Sequence, residues 1–187
     1  MRTAALLAAV LLTAAAPLDF AQNRPTITPR GSVFVGEPID AAAMLTDARG
    51  RNVGRAEFKS GPDGVLIRLT TRGLQAQRGW HGMHIHAVGD CAGPKFTSAG
   101  AHVHDGPTGA HGLLNPNGPE AGDLPNLFVL GDGSSAAEVH TTRAKLADLL
   151  DRDGSAILIH AAPDDHRTQP IGGSGDRIAC GVIRSTR

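Results

Sequence analysis

The stretch Gly82-Met83-His84-Ile85-His86 decides how this chain is interpreted, because two histidines in it alternate with apolar residues. Side chains two residues apart in a β-strand lie on the same face of the sheet, so His84 and His86 would point in one direction. Neutral imidazole is a common ligand of copper and zinc. Because the chain has nine histidines, a single His-x-His pair carries little weight alone.

Further candidate ligands follow this pair along the chain. They are His102, His104, His111, Asp123 and His160. His160 ends the apolar run of residues 156–159, which is typical of a buried strand. Ligands spread over so much of the chain indicate a folded metal centre rather than a local His-rich tract.

Short strands separated by turns predict an all-β domain from Ala41 onwards. Turn residues occur at positions 47–50 and 61–64, where Asp, Gly and Pro cluster. We predict strands at residues 55–58, 65–69, 82–86, 127–130, 136–140, 156–160 and 178–183. With 24 glycines and 12 prolines, and only residues 142–150 suggesting a helical turn, the pattern favours a sandwich or barrel.

Two long segments lack strand patterns, residues 91–125 and residues 161–175. Loops of this length in a compact domain are usually functional. Both lie next to candidate ligands in the sequence, so we expect them to build the site.

The N-terminus has the three parts of a secretory signal peptide. The basic start Met1-Arg2 precedes an apolar segment at residues 4–12, and small residues follow. The alternative is an uncleaved membrane anchor, but the apolar segment is shorter than the about 20 residues that span a bilayer. We predict a signal peptide at residues 1–21, an N-terminal extension at 22–40, and one domain at 41–187.

The charge balance indicates which partners the protein lacks. The formal net charge is zero, from 18 basic and 18 acidic residues. A basic excess typical of nucleic-acid binding is missing, and so is a lysine-rich amphipathic stretch typical of a membrane surface. We therefore predict no nucleic-acid partner, and no membrane association once the signal is removed.

Cys91 and Cys180 form an even pair in a chain predicted to be exported. Exported proteins commonly form disulfides, and this one would close a loop of roughly 90 residues. The alternative is a redox or metal-binding thiolate pair, which the missing C-x-x-C motif disfavours.

Five segments, in order and with matching spacing, carry a resemblance to a known family. They are HGMHIH at residues 81–86, SAGAH at 98–102, GDLP at 122–125, IH with PDD within 159–165, and RIACGVI at 177–183. The chain resembles the copper/zinc superoxide dismutases of the bacterial, periplasmic kind. This resemblance covers residues 41–183 and implies a Greek-key β-barrel or sandwich of about eight antiparallel strands with two long functional loops.

The resemblance also implies a set of metal ligands. It implies that copper is bound by His84, His86, His102 and His160, and zinc by His102, His111 and Asp123. His102 would be the imidazolate that bridges the two metals. Four imidazoles suit Cu(II), which favours tetragonal nitrogen sites.

Three further roles follow from the same resemblance. Asp164 would hydrogen-bond one copper ligand and one zinc ligand, and Arg177 would attract and position superoxide. Cys91 and Cys180 match the disulfide of the family. An alternative for Arg177 is a surface salt bridge with a neighbouring aspartate.

The chain departs from the family at one zinc ligand. Where the family has His-x-Gly-Asp, this sequence has Glu120-Ala121-Gly122-Asp123. Zinc accepts carboxylate oxygen, so Glu120 is a candidate fourth ligand. Two alternatives remain: His104 replaces the missing histidine, or the zinc site is weakened or empty. Histidines 81 and 140 are expected to be structural or exposed.

The predicted function is superoxide dismutation, giving dioxygen and hydrogen peroxide, by copper cycling between Cu(II) and Cu(I) in an exported compartment. The resemblance implies the bacterial periplasm, with secretion or a cell-surface location as the alternative. The alternative function is a non-enzymatic copper-binding or buffering protein on the same scaffold. A third, purely structural module would leave the ordered histidines unexplained. The resemblance allows a monomer or a homodimer.

Overall fold

The computed structural model describes residues 38–74, 78–104, 106 and 109–187. The predicted signal peptide and residues 22–37 of the predicted extension lie outside the described residues. Within the described part of the chain, no helix has the length and apolar character needed to cross a membrane.

The described residues form ten strands and two short helical segments. The strands are β1 (Ala41–Asp47), β2 (Asn52–Ser60), β3 (Val65–Thr71), β4 (Gly79–His81), β5 (Met83–His86), β6 (Leu127–Val129), β7 (Ser135–Thr141), β8 (Ala156–His160), β9 (Arg177–Val182) and β10 (Arg184–Ser185). A 3-10 turn covers Thr97–Ala99, and the helix α1 covers Leu146–Leu149. The helical turn expected in residues 142–150 is therefore present.

The strands form one large antiparallel sheet and one small one. The large sheet has the order β5-β8-β9-β1-β2-β3-β7, with β10 paired to β1, and the small sheet joins β4 to β6. This arrangement confirms the all-β fold class. All seven predicted strands are found, whereas the seven-residue β1 and the very short β4 and β10 were not predicted.

Alternation along the strands sets the core. Residues 41, 43 and 45 of β1 and residues 65, 67 and 69 of β3 are buried, and the residues between them are more exposed. The largest buried side chains include Phe58, Leu45 and Ile67. Burial of this apolar surface is the main favourable term in folding, at about 25 cal/mol per Å².

Strand β8 is buried on both faces. Ile157 and Ile159 pack in the main core, while Ala156 and Leu158 pack in a second cluster with Phe96. That second cluster lies beneath the first part of the 91–125 loop, so β8 supports this loop as well as the barrel core. This double burial explains why its sequence is continuously apolar.

Candidate metal centre

Strands β5 and β8 position the first histidines. Met83 pairs with Ile159 and His84 pairs with Leu158 in an antiparallel register. Met83 belongs to the main core, so His84 and His86 lie on the opposite face of β5. The structure thus places both histidines on one face, as the His-x-His spacing predicted, and both are fully buried.

Four buried imidazole nitrogens form the first donor group. The ligand atoms of these four histidines all lie within 4.8 Å of one another. They are His84, His86, His102 and His160. One ring nitrogen of each has no hydrogen-bond partner among the described residues, namely His84 Nδ1 and the Nε2 atoms of the other three. Buried polar atoms normally have a hydrogen-bond partner. Four ring nitrogens that lack one and converge on one point therefore fit a metal ion.

In three of these rings, the hydrogen bond made by one nitrogen determines that the other nitrogen carries the lone pair. His86 Nδ1 donates to the Gly100 carbonyl at 2.9 Å, and His160 Nδ1 donates to the Gly175 carbonyl at 3.1 Å. His84 Nε2 lies 2.9 Å from Asp164 Oδ2 and donates to it. In a neutral imidazole the other nitrogen is then an acceptor, so these three rings direct lone pairs to one point.

A second donor group surrounds the other side of His102. His102 Nδ1 lies 2.8 Å from Glu120 Oε2 and 3.2 Å from Asp123 Oδ1. His111 Nδ1 lies 2.7 Å from Asp123 Oδ1 and 3.8 Å from Glu120 Oε2. Zinc bonds of about 2.0 Å give ligand separations of about 3.3 Å in a tetrahedron, so these two nitrogens and two oxygens fit zinc.

A different set of four ligand atoms also lies within 4.8 Å, from His84, His102, His111 and Asp123. The nitrogens of His84 are already directed to the first group and to Asp164. We therefore assign Glu120, rather than His84, to the second group.

Asp123 is oriented by the backbone. Its Oδ2 accepts the N–H groups of Gly112 at 2.7 Å and Glu120 at 2.9 Å, which turns Oδ1 toward the two histidines. His102 directs one nitrogen to each group, which is the geometry expected of a bridging ligand.

Electrostatics differ between the two groups. Burial lowers the pKa of His84 to about 4, of His86 to about 2 and of His160 to about 3, so all three are neutral at pH 7. Burial opposes protonation of His102 too, but the hydrogen bonds that it donates to Asp123 and Glu120 raise its pKa. Burial also opposes protonation of His111, but its hydrogen bonds to Asp123 and Asp164 raise its pKa to about 10. The carboxylates of the second group thus favour positive charge there, as the ligands of a divalent cation should.

Asp164 joins the two groups. Its Oδ2 binds His84 Nε2, and its Oδ1 lies 3.1 Å from His111 Nε2. Both histidines and the carboxylate are completely buried. Although burial alone would raise it, these hydrogen bonds hold the pKa of Asp164 well below its usual range, so the group is a carboxylate.

Arg177 lies beside the first group. It pairs with His160 across β8 and β9. Its guanidinium donates to the carbonyls of Phe96 and Gly100, both at 2.6 Å. The Gly100 carbonyl also accepts from His86, so Arg177 is one carbonyl away from a candidate copper ligand. Among the described residues, no ion pair joins Arg177 to Asp165 or Asp176.

The disulfide is formed. The Cα atoms of Cys91 and Cys180 are 5.7 Å apart, and the bridge spans 89 residues. It links the start of the 91–125 loop to β9, which confirms the disulfide and excludes a metal-binding thiolate pair.

The remaining histidines lie outside both donor groups. His104 is 41% exposed, and its Nδ1 lies 3.3 Å from Glu120 Oε1, the oxygen that faces away from His102. His81 is buried, with Nδ1 2.9 Å from the His160 carbonyl. His140 is 43% exposed and lies near Asp63.

Several supporting groups were not predicted from the sequence. The carbonyls of Gly100 and Gly175 orient histidines, and backbone acceptors leave no signature in side-chain patterns. Asn126 binds the backbone of Asp164 with both ends of its amide, at 2.8 and 2.9 Å. Its position three residues after Asp123 was the only available signal.

Comparisons with known proteins agree with a site for copper and zinc. The profile of the family described as "Copper/zinc superoxide dismutase (SODC)" matches residues 52–183. A "Superoxide dismutase [Cu-Zn]" from Caulobacter vibrioides is 48% identical over 150 residues, which cover 77% of this chain and 85% of that protein.

Two solved structures are also similar. One is titled "Cu/Zn superoxide dismutase from Brucella abortus", with a TM-score of 0.65, 30% identity, and coverage of 78% of this chain and 100% of that one. The other is "a SOD-like protein from Bacillus subtilis", with a TM-score of 0.67, 36% identity, and coverage of 75% and 96%.

Proposed function

The chain belongs to the copper/zinc superoxide dismutase family, and from this premise we propose that it converts superoxide to dioxygen and hydrogen peroxide. The observation that carries the proposal is the convergence of four buried imidazole nitrogens that lack hydrogen-bond partners among the described residues. Copper bound there would supply the chemistry by taking an electron from one superoxide and giving it to the next.

We assign the ligands from the two donor groups. Copper is bound by His84, His86, His102 and His160, and zinc by His102, His111, Asp123 and Glu120. In this assignment Glu120 takes the place of the zinc histidine that is usual in the family. His104 is not a ligand but binds the outer oxygen of Glu120.

The other residues hold charge and protons in place. Arg177 attracts the anion, because a guanidinium stays protonated even though burial lowers the pKa of this group. His102 Nε2 would carry one of the two protons that peroxide needs to leave as hydrogen peroxide, with water supplying the other, while Nδ1 stays with the second group. Asp164 fixes the ring orientations of His84 and His111.

An exported location fits these assignments. The Cys91–Cys180 disulfide is typical of proteins that function in an oxidising compartment. We propose that residues 1–21 are a cleaved signal peptide, residues 22–40 an extension, and residues 41–187 the enzyme, located in the bacterial periplasm. The alternative of a copper-buffering protein gives no reason for Arg177 beside the copper ligands.

The first prediction tests the fourth zinc ligand. Metal analysis of reconstituted wild-type protein should give about one copper and one zinc per chain, together with dismutase activity. Glu120→Gln should weaken zinc binding by at least about 10-fold in chelator competition, because a neutral amide replaces an anionic ligand. Glu120→His should retain zinc, and His104→Ala is the comparison variant that should weaken zinc binding much less than Glu120→Gln, because its contact to Glu120 is long and exposed.

Each other outcome has a definite meaning. Normal zinc affinity in Glu120→Gln with loss in His104→Ala would transfer the ligand role to His104. Tight copper binding by the wild-type protein without dismutation would reject the enzyme and support the buffering protein.

A further inference from the structure

His166 has an unusual backbone for its residue type. Its φ angle is 59°, in the left-handed region that few residues other than glycine adopt. It lies in the 161–175 loop, two residues after Asp164, and its side chain is only 18% exposed. Strained backbone of this kind persists where surrounding contacts hold it, and it is often found near functional sites.

The main chain of His166 joins the two long loops. Its N–H donates to Asp164 Oδ1 at 2.6 Å, and its carbonyl accepts the N–H of Leu114 at 3.0 Å. A Cβ atom on Gly112 would collide with this carbonyl, and Gly112 itself has a φ of 117°. The 91–125 loop therefore has a glycine where the His166 backbone approaches most closely.

The imidazole of His166 faces the same carboxylate. Asn126 Nδ2 lies 3.2 Å from His166 Nε2 and donates to it, so the proton of the neutral ring is on Nδ1. That Nδ1 is buried and lies 3.3 Å from Asp164 Oδ2. Asn126 also holds the Asp164 backbone, so His166 and Asn126 contact the carboxylate and the main chain of Asp164 respectively.

We propose that His166 is a positioning residue that sets the rotation of the Asp164 carboxylate, and thereby couples copper binding to zinc binding. The inference rests on the proposed function, in which Asp164 joins one copper ligand to one zinc ligand. The backbone N–H restrains Oδ1 and the imidazole lies against Oδ2, so the carboxylate keeps one oxygen for His111 and the other for His84.

The test uses variants that keep the left-handed backbone. His166→Gly removes the ring without strain at φ 59°, and His166→Asn tolerates the same conformation and guards against misfolding. Asp164→Asn is the reference, and His140→Ala, at an exposed histidine, is the control. Copper and zinc affinities are measured by chelator competition. The zinc affinity is measured both with and without bound copper. The Cu(II) environment is measured by electron paramagnetic resonance.

Both His166 variants should weaken each metal by about 3- to 10-fold, less than the about 10- to 100-fold typical of direct outer-shell partners such as Asp164. Their Cu(II) spectra should change in the same direction as that of Asp164→Asn, and the effect of copper on zinc affinity should shrink. A general loss of packing would lower the melting temperature without moving the spectrum toward that of Asp164→Asn.

Two results would overturn the proposal. Affinities within twofold of wild type and an unchanged spectrum in both His166 variants, while Asp164→Asn is altered, would reject the role of His166 and leave the proposed function intact. Wild-type protein that binds neither metal would reject the proposed function itself, and the coupling with it.

Discussion

Each histidine of the first donor group is oriented by the hydrogen-bond partner of its second ring nitrogen. Gly100, Gly175 and Asp164 each accept a hydrogen bond from a different ring, and so determine the nitrogen that faces the proposed copper site. Two of the three acceptors are backbone carbonyls. The residue types could thus be predicted from the His-x-His pattern and the family resemblance, whereas the ring orientations depend on long-range contacts.

Arg177 offers a test at the level of one charge. Arg177→Gln should lower kcat/KM for superoxide by about 10-fold or more, because a fixed cation near the site raises the local concentration of the anion. Arg177→Lys should be intermediate, because lysine keeps the charge but cannot reproduce the fork that binds Phe96 and Gly100. Pulse-radiolysis rates over a range of ionic strength measure both effects.

The control for Arg177 is another arginine. Arg68 pairs with Glu138 across β3 and β7, so Arg68→Gln should leave the rate and its salt dependence nearly unchanged. If Arg177→Gln has the same rate and the same salt dependence as wild type, Arg177 does not steer superoxide.

Among the elements, predictability follows the strength of the pattern. Strand β8 was predicted with its observed limits, Ala156–His160, because its apolar run is bounded by polar residues. β1 and β4 were missed because the alanine-rich start of β1 and the Gly-Trp-His of β4 give neither an apolar run nor a clear alternation. The 91–125 loop was identified from the sequence. The loop also runs back alongside β5, where the Ile85 N–H donates to the Gly122 carbonyl at 2.8 Å. No local sequence pattern indicates this contact.

The β1–β2 turn supplies a prediction with a defined pH dependence. Asp47 accepts the backbone N–H groups of Arg49 and Arg51 at 2.9 and 3.0 Å, and the Arg51 guanidinium at 2.6 Å. Asp47→Asn should destabilise the protein by about 1 kcal/mol at pH 7, a modest value because Arg51 is 46% exposed.

The sign of the pH effect follows from the folded carboxylate. Burial alone would raise the pKa of Asp47, but the hydrogen bonds from Arg51 and Arg49 lower it below the usual value of an aspartate. Its stabilising contribution is therefore present above about pH 4 and lost as pH falls through the folded pKa. We expect urea unfolding to give a smaller difference in stability between wild type and Asp47→Asn at pH 3 than at pH 7. Asp63→Asn, at a side chain that is 70% exposed, should show no difference at either pH.

For the whole molecule, the two long loops converge on one buried cluster although they are far apart in sequence. Asp164 from one loop binds His111 from the other, and Arg177 in β9 binds carbonyls of the 91–125 loop. The family resemblance predicted which residues meet. It did not predict that Glu120 would lie with Oε2 at the second group and Oε1 toward exposed His104, because the family usually has histidine at position 120.

The disulfide is the last test, and it concerns the entire chain. Replacing Cys91 and Cys180 by alanine removes a bridge that spans 89 residues. The chain-entropy estimate gives a loss of about 4 to 5 kcal/mol in the free energy of unfolding, as an upper bound. Denaturant unfolding of metal-stripped wild-type and variant proteins measures this loss without contributions from metal binding.

The variant without the disulfide should also have lower activity. Phe96 and Gly100, which hold the Arg177 guanidinium, follow Cys91 in the tethered loop. The metal-loaded variant should therefore show a reduced salt dependence of its rate, similar to Arg177→Gln, even at temperatures where it remains folded. A loss of less than about 1 kcal/mol would mean that the unfolded chain gains little freedom without the bridge, and that packing of Phe96 against Leu158 anchors the loop instead.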